Sequence, residues 1–99
     1  MSKVFFVYAP DFTDEAAPER RNSVRAEHLK VAAARTNTLL GGPMVTEEGK
    51  MTGSTMFINA DSEEKVRAIV ESDIYYKSGV WDPANIAIWW YRPAGPPKV

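Results

Sequence analysis

The residues best suited to chemistry in this chain are a histidine and two arginines that precede it at helical spacing. His28 is the only histidine among 99 residues. Its imidazole is the side chain whose ordinary pKa lies near neutrality, so an acid–base step at pH 7 points to it first. Arg21, Arg25 and His28 follow one another at spacings that align them along one stripe of a helix. Val24, Leu29, Val31 and Ala32 border that stripe, while Arg20, Ser23, Glu27 and Lys30 fall on the opposite, polar side. An imidazole flanked by guanidinium groups on a half-buried face is an unusual choice for packing. It suits a small polar or anionic molecule, because arginine forks match carboxylate, phosphate and enolate-like oxygens. The competing reading is that Arg21 and Arg25 snorkel from the edge of that face and merely cap it.

A histidine used for proton transfer needs a further group to fix its tautomer and orientation. Glu19 and Glu27 lie elsewhere on the wheel, and Glu47 and Glu48 sit in a predicted hairpin tip. Asp73 comes just past the apolar stripe of a second predicted helix. Two helices side by side on one sheet face bring the end of the second near the middle of the first. Asp73 also reads as a cap acid for a short helix over 72–79, and one carboxylate can do both. Gly53 and Ser54, with Gly41-Gly42-Pro43-Met44, open the two middle strands. Glycines there let a ligand approach backbone and Ser54 offers a hydroxyl, although turn chemistry explains both equally well. Trp81, Trp89 and Trp90 wall an aromatic pocket or fill a core.

Composition narrows the chemistry. With no cysteine there is no disulfide, thiolate nucleophile or cysteine-ligated metal. A single histidine cannot build a two-histidine metal site within one chain, so neither a metal nor a cofactor is expected. A formal net charge of −1 supplies no basic field for nucleic acid. No run approaches the roughly 20 apolar residues that span a bilayer, and the N-terminal apolar run is too short for a secretory leader. The expectation is a cytoplasmic protein without a membrane partner.

The elements that must position these residues follow from periodicity. Strands are predicted over 3–9, 38–45, 53–60 and 85–91, with the second interrupted by Gly41-Gly42-Pro43 and a hairpin turn over 46–52. Pro18 opens a first helix that runs to about Arg35. Asp61, with Glu64 three residues on, is the predicted cap of a second helix with the stripe Val66, Ile69, Val70. The order β-α-β-β-α-β is that of a ferredoxin-like α+β domain over 1–99, a four-stranded antiparallel sheet with helices on one face. The other face carries Phe, Ile, Trp or Tyr side chains from the first and last strands. Such a face predicts a homodimer formed sheet to sheet. The proline-rich tail over 93–99 is too short to cover it.

The segment Arg21-Asn22-Ser23-Val24-Arg25-Ala26-Glu27-His28-Leu29 resembles the R-x-x-V-R-x-x-H-L signature of the YciI-like (YCII-related) family. Gly42-Pro43-Met44, Gly53-Ser54-Thr55, Ser72-Asp73-Ile74-Tyr75 and Gly79-Val80 are similar to that family's later landmarks, in order, so the resemblance covers essentially the whole chain. It implies a dimeric α/β barrel and a catalytic His–Asp dyad of His28 and Asp73, with Arg25, Gly53 and Ser54 nearby. Some relatives in the superfamily are dehydrochlorinases of chlorinated hydroxyquinones, and others resemble muconolactone isomerases in fold. Ile74 stands where the family usually has proline, which loosens the backbone expected at the dyad. The function expected is metal-free acid–base chemistry (elimination, isomerisation or hydrolysis) on a small oxygen-rich, quinone- or lactone-like substrate. Arg21, Arg25, Gly53 and Ser54 would bind that substrate. The alternative is a dimeric module that binds a small ligand without turnover.

Overall fold

Alternation along the first strand decides which way the sheet faces. In β1 (Lys3–Pro10), Phe5, Val7 and Ala9 are buried, while Val4, Phe6 and Tyr8 point to the other side. The protein is described by a computed structural model over residues 2–96 and 98. After β1 come α1 (Ala17–Ala34), β2 (Thr38–Val45), β3 (Met51–Ala60), α2 (Glu63–Ser72), α3 (Ile74–Lys77), a 3-10 turn (Pro83–Asn85) and β4 (Ala87–Tyr91). The strands pair antiparallel in the order β2-β3-β1-β4, the ferredoxin-like arrangement that the β-α-β-β-α-β order predicts.

Several boundaries differ from the sequence reading, each for a local reason. β3 starts at Met51 because the hairpin closes tightly, with the Thr46 N–H donating to Lys50 O at 2.9 Å and Gly49 at a φ of 86°. Gly41-Gly42-Pro43 does not interrupt β2. That strand lies at the sheet edge, where proline's missing donor is tolerated. β4 starts at Ala87 because Asp82 caps the 3-10 turn before it, accepting from the Ala84 N–H at 3.1 Å. The cap of α2 is Ser62 rather than Asp61. Ser62 has the extended backbone a cap needs, and its hydroxyl accepts from the Lys65 N–H at 3.3 Å. Asp61 instead pairs with the Lys65 ammonium at 2.9 Å.

The core lies between α2 and the sheet, built on Val7, Ile58, Val66, Val70, Tyr75 and Trp81. Ile88 belongs to this side, so the open face of the sheet is aromatic rather than aliphatic along β4. Across that open face Phe6 lies 5.3 Å from Phe57 and stacks on Trp89 at 6.1 Å, and Tyr91 meets Phe57 edge-on at 4.9 Å. Leu40 and Trp89 remain 67% and 59% exposed there. Residues 93–96 and 98 border a depression with Val4, Leu40, Phe57 and Tyr91. The tail therefore lies along one end of this face, while Pro97 and Val99, like Met1, fall outside the described residues. Among the described residues no helix is long and apolar enough to cross a membrane.

Candidate active site

α1 buries only Ala17 and Arg21. Between this helix and the β2–β3 half of the sheet lies a cavity of about 360 Å³. His28 and Arg25 border it from α1, Gly42 and Pro43 from β2, and Ser54 and Met56 from β3.

The joint between α2 and α3 supplies the acid. Asp73 ends α2 and caps α3, and its backbone is extended there (φ −70°, ψ 142°) so that its side chain turns back over the first turn. Oδ1 accepts from the Tyr75 N–H at 2.9 Å and from His28 Nδ1 at 2.8 Å, and Oδ2 accepts from Arg35 Nη2 at 2.8 Å. Both sequence readings of Asp73, cap and histidine partner, therefore describe real contacts. Burial to 2% exposure pushes this carboxyl up. The hydrogen bonds from His28, Tyr75 and Arg35 outweigh it and hold the group below its ordinary value. Ile74 opens α3 at a position where proline also fits, and it packs against the core. The carboxylate is held by its own three donors and does not need proline's rigidity.

An ionised carboxylate only accepts, so Nδ1 of His28 donates to it, and in the neutral ring the lone pair is on Nε2. Nε2 has no hydrogen-bond partner among the described residues, and the side chain is 13% exposed. The ring stacks on Tyr75 with centroids 3.9 Å apart and planes 10° from parallel, and Trp81 meets it edge-on at 6.1 Å. One hydrogen bond and one stack fix both the tilt and the spin of the imidazole.

The arginines divide. Arg21 is buried, with Nη1 2.8 and 2.9 Å from the two Asp11 oxygens and Nη2 3.1 Å from Ser54 Oγ. Its guanidinium also lies over the Tyr75 ring, 4.7 Å from the centroid. Its head is thus committed beneath the cavity rather than converging with Arg25 and His28 on one acceptor. Asp11 itself is pushed up by burial against the pull of Arg21. Ser54 Oγ also accepts from Trp81 Nε1 at 3.3 Å, which leaves its own proton to be donated elsewhere. Arg25 is half-buried and has neither hydrogen-bond nor ion-pair partner among the described residues. Gly53 does not border the cavity. A Cβ there would lie 2.8 Å from both Ala9 O and Pro10 Cα and would also strike Met44, so this glycine lets strands meet closely.

Arg35, Asp11 and Tyr75 were not singled out from sequence. Arg35 follows His28 by seven residues and so falls on the same helical stripe as Arg21 and His28, a spacing that could have found it, although the helix ends at Ala34 and Arg35 has extended backbone (φ −73°, ψ 133°). Its side chain reaches Asp73 from the same side as His28. Asp11 lies among the acids of a polar connection, and nothing in its neighbourhood distinguishes it from Asp14. Trp89 and Trp90 stand away from the cavity, Trp89 on the open face and Trp90 under Lys3 and Arg92.

The family model for the YCII-related domain matches residues 4–89, from β1 into β4 and across every residue named above as part of the site. Fusaric acid biosynthesis protein 2 of Gibberella fujikuroi is 29% identical over 99 residues, covering 91% of this chain and 93% of that protein. Aspartate kinase FUB3 of Fusarium oxysporum f. sp. lycopersici is 31% identical over 101 residues, 93% of this chain, but the chain spans only 18% of that protein's length. Among solved structures, the 5-chloro-2-hydroxyhydroquinone dehydrochlorinase TftG from Burkholderia phenoliruptrix AC1100, in complex with 2,5-dihydroxybenzoquinone, superposes with a TM-score of 0.74 at 25% identity. That match covers 90% of this chain and 93% of the dehydrochlorinase.

Proposed function

Because the chain belongs to the YCII-related domain family, we propose that it is a small-molecule enzyme that moves a proton with His28 and needs no metal to do so. The observation that carries this reading is the 2.8 Å bond from His28 Nδ1 to a carboxylate, which leaves Nε2 unpaired beside a cavity. In this reading Nε2 takes a proton from the substrate, and Asp73 stabilises the imidazolium that forms. Arg25 and the Ser54 proton face the substrate oxygen that carries negative charge in the transition state. Where the substrate carries a halogen, the electron pair released by deprotonation closes a double bond and the halide leaves with its own pair. Without a leaving group, the same proton returns at another atom and the outcome is isomerisation. The dehydrochlorinase likeness favours a ring of the hydroxyquinone kind as the substrate class.

The assembly belongs to this reading. Two copies meet through the open sheet face, where Leu40, Phe57, Phe6 and Trp89 form one apolar row across the strands. Sedimentation of the wild type as a dimer and of Trp89→Lys as a monomer is the expected result. A wild-type monomer at micromolar concentration removes this part of the proposal.

The test of the chemistry is turnover of chlorinated hydroxyhydroquinones and muconolactones, followed by chloride release and by ultraviolet absorbance. His28→Ala is expected to lower kcat by roughly 10²–10⁴-fold with ligand affinity kept. Asp73→Asn should lower kcat in the same direction, and circular dichroism checks that each variant folds. Unchanged kcat in His28→Ala sinks the proposal. Binding without turnover on any of these compounds points to the ligand-binding module instead.

A further inference from the structure

The walls of the cavity carry charge of one sign. Three guanidinium groups, Arg21, Arg25 and Arg35, border it beside His28, and among the described residues no aspartate or glutamate does. Two of the three guanidinium groups are neutralised from behind, Arg21 by Asp11 and Arg35 by Asp73. Arg25 has no such partner, although it is half-buried, and its field reaches the Tyr75 hydroxyl. One uncompensated positive charge thus faces a small space in a chain whose own net charge is −1. A guanidinium in that position loses part of its hydration without gaining a protein anion, an arrangement that a bound anion completes.

Position and size restrict that anion further. Arg25 precedes His28 by three residues on α1, a rise of about 4.5 Å along the helix. A ligand held by Arg25 therefore places atoms two or three bonds from its charge within reach of Nε2. A cavity of about 360 Å³ is near the small end of ligand sites and holds a single ring. The remaining wall is apolar, from Leu29, Ala32, Met51 and Met56, and the Thr38 hydroxyl is buried there without a partner. We infer that the substrate enters as a single-ring monoanion, a carboxylate or ionised hydroxyl held by Arg25, rather than as a neutral molecule that gains charge only during reaction.

This inference rests on the reading of the cavity as the reaction site, but its test needs no turnover, so the two can fail separately. Benzoate and benzamide, of nearly equal shape, are titrated into the full chain at pH 7 and low salt by calorimetry. Benzoate is expected to bind tighter by about tenfold or more, as a charge-assisted contact requires. Arg25→Gln removes that preference, Arg25→Lys keeps part of it, and His28→Ala leaves it in place. Equal affinities, no binding of either compound, or a preference that survives Arg25→Gln overturns the inference. So does a preference that disappears in His28→Ala while persisting in Arg25→Gln.

Discussion

The two long helices lie on the same sheet and are held to the rest of the molecule by opposite means. α2 has an apolar stripe, buries Val66 and Val70, and packs on β3 and β4. α1 has almost no such stripe, and Leu29 and Val31 are each 46% exposed on it. Val24 packs against the core and His28 stacks on Tyr75. The other attachments are polar: Arg20 donates to Gly79 O at 2.9 Å, Arg21 to Asp11, and His28 and, just past the helix end, Arg35 to Asp73. The space an apolar stripe would have filled is the cavity. A helix fixed by a few directed bonds can stand off a sheet, whereas one fixed by packing must close on it.

Breaking a polar attachment of α1 should have the largest effect. Arg21→Met leaves Asp11 buried without its cation and is expected to cost about 3–5 kcal/mol in urea denaturation. Pairing it with Asp11→Leu should recover most of that loss, since an apolar pair can replace a buried ion pair at little cost. A small effect of Arg21→Met alone would mean that α1 is held by something other than charge. In α2 the matching change is Val70→Ala, for which about 2 kcal/mol is expected, with the nuclear magnetic resonance signals of His28 unmoved. Next comes acid sensitivity. Asp73 is held below its ordinary 3.8, so an unfolded chain takes up that proton before the folded one does. The stability it contributes is complete above that value and is lost as pH falls through the lower folded value. Asp73→Asn should therefore flatten the denaturation midpoint against pH below about pH 4, and equal slopes for both proteins would contradict this. The smallest effect belongs to Arg67→Ala, which removes an exposed pair with Glu63 on α2 at a cost of about 0.3–0.5 kcal/mol. Comparison with Arg21→Met then shows directly which helix depends on its charges.

The same contrast explains what could be read from the chain alone. α2, the strands and their order announce themselves through apolar period and turn residues, because packing writes a pattern into consecutive positions. The contact of His28 with Asp73 was accessible because only one histidine and one acid at a helix joint had to be matched. The Arg21–Asp11 pair was not accessible, since a buried acid and a solvated one look alike until the partner is in place. Arg35 lay within reach of the helical period, seven residues after His28 on the same stripe. Ser62 and Asp61 are both good caps, and the backbone of Ser62 rather than any side-chain preference separates them.

The joint at Asp73 bears on how the protein can diverge. One two-oxygen group ends a helix, starts another and fixes both His28 and Arg35, so drift on that side disturbs folding and site together. The facing wall, with Gly42, Pro43 and Met51 on the β2–β3 hairpin, takes no part in those bonds. New substrate preferences can accumulate in the hairpin while the helix wall stays unchanged, so paralogues with different chemistry should differ first between β2 and β3.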